Sequence, residues 1–267
     1  MAAVLRRLAA IPVLLTAGAM LAGCGRSAPV TSSGKPTAKA TTTKRAPSAP
    51  AHGGAHAGGG RARAQALAFA QAVNLRARDV AGFGASRTHE HTVETAAEKR
   101  LGRELRACAG GAGGESKGLA EASSPEFERK ASIASQSVSS QVTVYASPAL
   151  AAKELASFRS GRLRACLSRY FSALLSGKKS HDTSVSGVST RYGSPPALGT
   201  TGSFGLRVTA KLSFQGIQLP FYLDYLVFVE GSAEVALRSL GTPVPFPANV
   251  EERLFSLLVA RAKAHRS

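Results

Sequence analysis

Apolar and polar residues alternate along Phe204, Leu206, Val208, Ala210, Leu212 and Phe214, and again along Ile217, Leu219, Phe221, Leu223, Tyr225, Val227 and Val229. A period of two is the signature of a half-buried strand, so the two runs predict a hairpin turning at Gln215-Gly216. With those two residues as the loop, every apolar position of one arm faces an apolar position of the other, and a one-residue slip would break the match. A further strand follows a turn near Glu230-Gly231-Ser232. A three-residue loop there sets Val235 opposite Val227 and Leu237 opposite Tyr225, and it places Asp224 between Arg207 and Arg238 on neighbouring strands.

Helical spacing appears elsewhere. Leu67, Ala70, Val73 and Asn74 predict a helix over 63–75. Ala97, Leu101, Leu105 and Cys108 predict another over 94–108, with Cys108 on its inner face. A serine-rich strand carries Val138, Val142 and Val144. Ser147-Pro148 then supplies a cap and a first-turn proline for a helix through Phe158. A helix over 161–175 turns Leu163, Cys166, Leu167, Tyr170 and Leu174 inward, beside a basic run of Arg159, Arg162, Arg164, Arg169, Lys178 and Lys179. Such a run is either a solvated helix face or an anion-binding patch. Pro243, Pro245 and Pro247 stop the sheet, and Asn249 is placed to cap a last helix with Val250, Leu254, Leu257, Leu258 and Arg261 as its stripe. The predicted class is α+β, an antiparallel sheet packed with helices.

The first 60 residues follow a different pattern. Arg6 and Arg7 precede an apolar run of about 14 residues from Leu8 to Leu21, too short for the roughly 20 residues of a membrane-spanning helix and interrupted by Pro12. This is the form of an export signal. Leu21-Ala22-Gly23-Cys24 is similar to the lipobox of bacterial lipoproteins, which implies that Cys24 carries a lipid and becomes the mature N-terminus; the alternative is an ordinary secretory signal with a chance cysteine. Two acyl chains hold a protein on a bilayer stably where one does not. From Gly25 to Gly60 there is no acidic or aromatic residue, and the stretch reads as a disordered tether with an average reach of about 30 to 35 Å. His52 and His56 read as spacer residues within it. The expected division is a signal over 1–23, lipidated Cys24 and tether over 24–60, and an extracytoplasmic domain over 61–267.

Composition sharpens this division. The chain of 267 residues has 34 Lys and Arg against 16 Asp and Glu, a formal charge of +18. Two of the cations lie in the signal and five in the tether, leaving 27 against all 16 acids, a domain charge of +11. In an exported protein this charge points to anionic lipid or wall polymer, not to nucleic acid. Three cysteines, less Cys24, leave Cys108 and Cys166, each in a Leu-Arg-Ala-Cys tetrapeptide. Outside the cytoplasm such a pair is most simply a disulfide, closing a loop of about 58 residues and stabilising by about 4 kcal/mol on the chain-entropy account; the sharper alternative is a catalytic or metal-binding thiol.

Candidate chemistry is sparse. The glycine-rich stretch 110–118 lacks the lysine-hydroxyl ending and preceding strand of a phosphate loop. No GxSxG or HExxH occurs, so no catalytic residue, cofactor or metal is assigned and the chain is read as non-enzymatic. His89-Glu90-His91 is the one local cluster that could ligate a metal, and no third ligand is identifiable. Arg207, Asp224 and Arg238 form the one candidate anion or ligand contact, with a cross-strand charge ladder as the alternative.

The order of lipobox, Thr/Ser/Pro tether, cysteine-bearing helix, Val142-Thr143-Val144-Tyr145 strand, Arg162-Leu163-Arg164-Ala165-Cys166-Leu167 helix, meander and Ala/Leu/Arg-rich helix resembles uncharacterised actinobacterial lipoproteins. More distantly it is similar to the extracellular sensor domains of mycobacterial Ser/Thr kinases and to PsbP-like lipoproteins. The resemblance implies a lipid-anchored domain on the outer face of the cytoplasmic membrane that binds or senses a small ligand, a wall polymer or a membrane protein. The alternatives are a cell-envelope hydrolase and a structural lipoprotein docked on anionic wall polymers.

Overall fold

The computed structural model describes residues 56–86, 96–108, 118–132, 134–176, 183–214 and 217–265. The expectations for the signal, Cys24, most of the tether, His89 and His91 lie outside them.

The longest alternating runs form the centre of the molecule. β6 (Gly202–Phe214) and β7 (Ile217–Glu230) pair antiparallel with Phe214 opposite Ile217 and Phe204 opposite Val227, the register expected from the sequence. β8 (Ala233–Thr242) pairs with β7, and β4 (Ala134–Val144) with β8. β5 (Thr183–Gly193) closes one edge against β6. At the other side β3 (Phe127–Ala131) and β2 (Ala120–Ser123) pair with successive parts of β4, and the two-residue β1 (Gly84–Ala85) lies on β3. All eight strands belong to one antiparallel sheet.

Helices cover both faces. On one face α2 (Ala96–Cys108), α3 (Pro148–Arg159) and α4 (Gly161–Ser176) pack over a core that includes Leu155, Phe158, Leu167, Phe171, Phe204, Leu223 and Val227. On the other, α1 (His56–Val73) and α5 (Ala248–Ala264) pack over Val138, Val142, Phe228, Val235 and Leu237. The Phe228 and Phe255 rings meet edge-on at 5.4 Å between centroids.

Three expectations change. The turn between β7 and β8 has two residues, not three, with Glu230 paired to Ala233 and Gly231 at φ 56°, a conformation suited to glycine at the first position of a tight hairpin. Val227 therefore faces Ala236 and Tyr225 faces Arg238. The physical reason is that β8 is buried on both faces, so its apolar pattern does not mark one side and cannot set the phase. α1 begins at His56, seven residues before the predicted start. α5 takes Pro247, not Asn249, as its N-cap, and makes no side-chain cap bond. Ser147, by contrast, accepts from the Leu150 N–H as expected.

Cys108 of α2 and Cys166 of α4 are joined, with Cα atoms 5.8 Å apart. The bond ties the short α2 to the long α4, and Arg162 Nε adds a hydrogen bond of 2.6 Å to the Cys108 carbonyl.

After β8 the chain folds back over its own sheet. A Cβ at Gly241 would collide with the Val244 carbonyl oxygen and lie within 2.9 Å of the Pro245 carbonyl carbon. Gln136 Nε2 donates to the Pro245 carbonyl at 2.7 Å, holding this strap down. Gly241→Ala is therefore expected to lower stability by about 2 kcal/mol in chemical denaturation, whereas Gly161→Ala, whose added methyl meets open space, should not.

Candidate functional site

The β6–β7 register brings Arg207 opposite Asp224, and the β7–β8 register brings Asp224 opposite Ser239. Residues directly opposite share a face, so the three side chains form a row across the sheet on the side of α5. Arg207 donates from Nε to Oδ1 at 2.6 Å and from Nη2 to Oδ2 at 2.9 Å. This two-point fork fixes the guanidinium as well as neutralising the acid. Asp224 is buried, while the Arg207 side chain remains 47% exposed. The exposed charge is thus held from one side by a buried carboxylate on the neighbouring strand.

α5 adds a second acid to the row. Glu251, in its first turn, accepts a hydrogen bond from the Ser239 hydroxyl and is buried. Burial and the nearby negative charge of Asp224 push its carboxyl up to about 7, against smaller pulls from Ser239 and Arg207. The Asp224 hydrogen bonds, with the charges of Asp224 and Glu251, outweigh burial and raise Arg207 above its ordinary value. The cluster can take up or release one proton near neutrality while presenting a fixed guanidinium edge outward.

Arg238 does not join it. One residue out of the expected register, it lies opposite Tyr225 on the other face and pairs with Glu126 at 3.4 Å. Ser239 occupies the place expected for Arg238, because the turn is one residue shorter. Arg207 has a different cationic neighbour, Arg191 on β5, directly opposite and exposed.

Of the basic run, Lys178 and Lys179 lie outside the described residues, and the arginines of α3 and α4 make structural contacts. Arg159 donates twice to the Ser203 carbonyl, at 3.1 and 2.7 Å, and Arg169 approaches the Cys108 sulfur at 2.8 Å. Arg164 stacks over the Tyr192 ring at 5.4 Å. These arginines join α3 and α4 to the neighbouring sheet and to α2.

A second buried fork joins Asp79 to Arg261 of α5 at 2.7 and 2.6 Å, and Arg261 also donates to the Asn74 carbonyl. Burial pushes the Asp79 carboxyl up, but Arg261, the Arg76 N–H and the charge of Arg78 outweigh this and leave it below its usual value. Neither Asp79, Glu251 nor Ser239 was among the predicted site residues. For Glu251 a signal exists: it stands three and seven residues before Leu254 and Leu258, at the head of the buried stripe, where an acid is out of place. Among the described residues no three His, Cys, Asp or Glu groups are placed to hold a metal ion.

No family model and no curated protein matches the chain. Among solved structures it is similar to the extracellular domain of PknH from Mycobacterium tuberculosis, at 12% identity over 52% of this chain and 62% of that chain, with a TM-score of 0.30. A likeness of that size carries no argument about function.

Two outcomes test the cluster. The ordinary Glu251 value of 4.5 and the folded value of about 7 mean that the native state holds a proton the unfolded chain releases between them. Its stabilising contribution is complete below about pH 4.5 and is lost as pH rises through 7, a change on the order of 3 kcal/mol at most. Glu251→Gln should remove that part of the pH dependence in denaturation curves. Asp224→Asn should lower stability by about 3 kcal/mol, since it weakens a buried partner of Arg207, and should move the Glu251 titration downward when followed by carboxyl NMR.

Proposed function

We propose that the chain is a lipid-anchored lipoprotein whose extracytoplasmic α+β domain binds or senses a ligand without catalysing a reaction. The observation that carries this reading is the division of its three cysteines. Cys108 and Cys166 are joined, a pairing that suits an oxidising compartment, and Cys24 is left at the end of an export-signal pattern. No described helix is long and apolar enough to cross a membrane, so an acyl anchor at Cys24 would account for attachment without a spanning segment. The non-catalytic part of the proposal is supported by the buried carboxylates of the central cluster. Asp224 is tied to Arg207 and Glu251 to Ser239, so both brace the sheet against α5 instead of reaching outward.

Cell fractionation tests the anchor. The wild-type protein is expected in the membrane fraction after a high-salt wash, open to added protease in intact cells, and in the detergent phase of a cloud-point partition. Cys24→Ser should move it to the aqueous phase. Equal membrane retention of the variant would overturn the anchor.

A further inference from the structure

The α5-side face of the sheet is only partly covered. α5 lies over β7 and β8, and α1 over β2 and β4. The Pro195 segment covers Ser203 and Gly205 of β6, while among the described residues the same face is exposed or half-buried from Arg207 to Lys211 of β6 and at Ser189 and Arg191 of β5. On this open face Arg191 stands opposite Arg207, Ser189 opposite Thr209, and Lys211 two places further along β6. Arg191, Ser189, Arg207 and Lys211 are exposed, and Thr209 is half-buried. Tyr222, opposite Thr209, places an aromatic ring at the inner margin. No large aliphatic residue occupies the registered positions of this face.

Two like charges directly opposite on neighbouring strands repel each other, and the nearby acid, Asp224, lies on the far side of Arg207 from Arg191. An anion lying across both would relieve the repulsion. Asp224 takes Nε and Nη2 of Arg207 and leaves Nη1 outside the pair, so one of the two guanidinium groups is already oriented. Lys211 lies four residues from Arg207, about 13 Å along the strand. That span exceeds a single phosphate or carboxylate group and suits a chain of them.

We propose that the open face of β5 and β6 binds an extended polyanion bearing repeated phosphate or carboxylate groups, held by Arg191, Arg207 and Lys211 with Tyr222 and the hydroxyl side chains beneath it. This rests on the binding-domain reading above and names its ligand class. Among the described residues the registered positions of β5 and β6 on this face offer no aliphatic group to insert, which favours a soluble polymer over a lipid surface.

The test uses the full chain in neutral detergent with long-chain inorganic polyphosphate, polygalacturonate, orthophosphate and phosphatidylglycerol-containing vesicles as probes. Both polymers should bind with strong salt dependence, and orthophosphate at equal phosphate concentration should not displace them. Arg191→Gln/Lys211→Gln should not lower the melting temperature, should weaken polymer binding about tenfold, and should reduce the slope of log affinity against log salt by about 1 to 2. A charge-matched control, Arg103→Gln/Lys153→Gln, on exposed positions of α2 and α3, should change affinity less than about twofold. Equal loss in both pairs would reduce the effect to net charge and overturn the site. Equal displacement by orthophosphate would overturn the extended ligand, and vesicle binding that alone depended on Arg191 and Lys211 would replace the polymer with a lipid surface. The Cys24→Ser fractionation is independent of these readings: lost polymer binding with attachment intact removes only the surface, and the converse removes only the anchor.

Discussion

The structure depends on a sheet whose central strands are covered on both faces. β7 and β8 have helices above and below, so their side chains enter one of two cores and any polar group among them must find a partner inside the protein. Asp224 and Ser239 are two of the residues on which this constraint falls, and they meet it with Arg207 and Glu251. The ion pair and the Ser239 hydrogen bond join β6, β7, β8 and α5. They hold in place, through polar contacts, the helix that also supplies Leu254, Phe255 and Leu258 to the core.

The same constraint decides what could be read in advance. β6 and β7 were legible because their alternation is long and their turn short, so the pairing of Arg207 with Asp224 followed from the sequence. β8 was not, because both its faces are apolar, and the missing residue in its turn moved Arg238 to the far side of the sheet. β2 and β3 are short and polar on exposed positions, and β5 is rich in serine and threonine with a bulge between Ser186 and Ser189, so their periodicity does not stand out. The cysteine pair was legible from parity and helical position. Arg191 was not, since it belongs to β5, a strand that the pattern did not reveal.

Arginine serves three structural purposes here, and the surroundings set each one. In the forks Asp79–Arg261 and Asp224–Arg207 it grips a buried carboxylate at two points. Arg159 and Arg162 satisfy backbone carbonyls where the α3 and α4 layer meets β6 and α2. Arg164 covers an aromatic ring. Lysine's single ammonium could not reproduce the two-point geometry of the forks or the stacking. The high arginine content of the domain is therefore partly architectural, and net charge alone overstates how much of it faces outward.

The position of β5 at the end of the strand order has one more effect. An edge strand of eleven residues offers a row of unpaired backbone groups, which is the template for joining a second copy of the chain. The Ser186/Ser189 irregularity, with Gly187 at φ 60°, breaks the straight ladder such a partner would need. Arg191 sits beyond that break, and two copies brought together in antiparallel alignment around it would set its charge against its own image. The break and the charge together weigh against adding a strand to this edge.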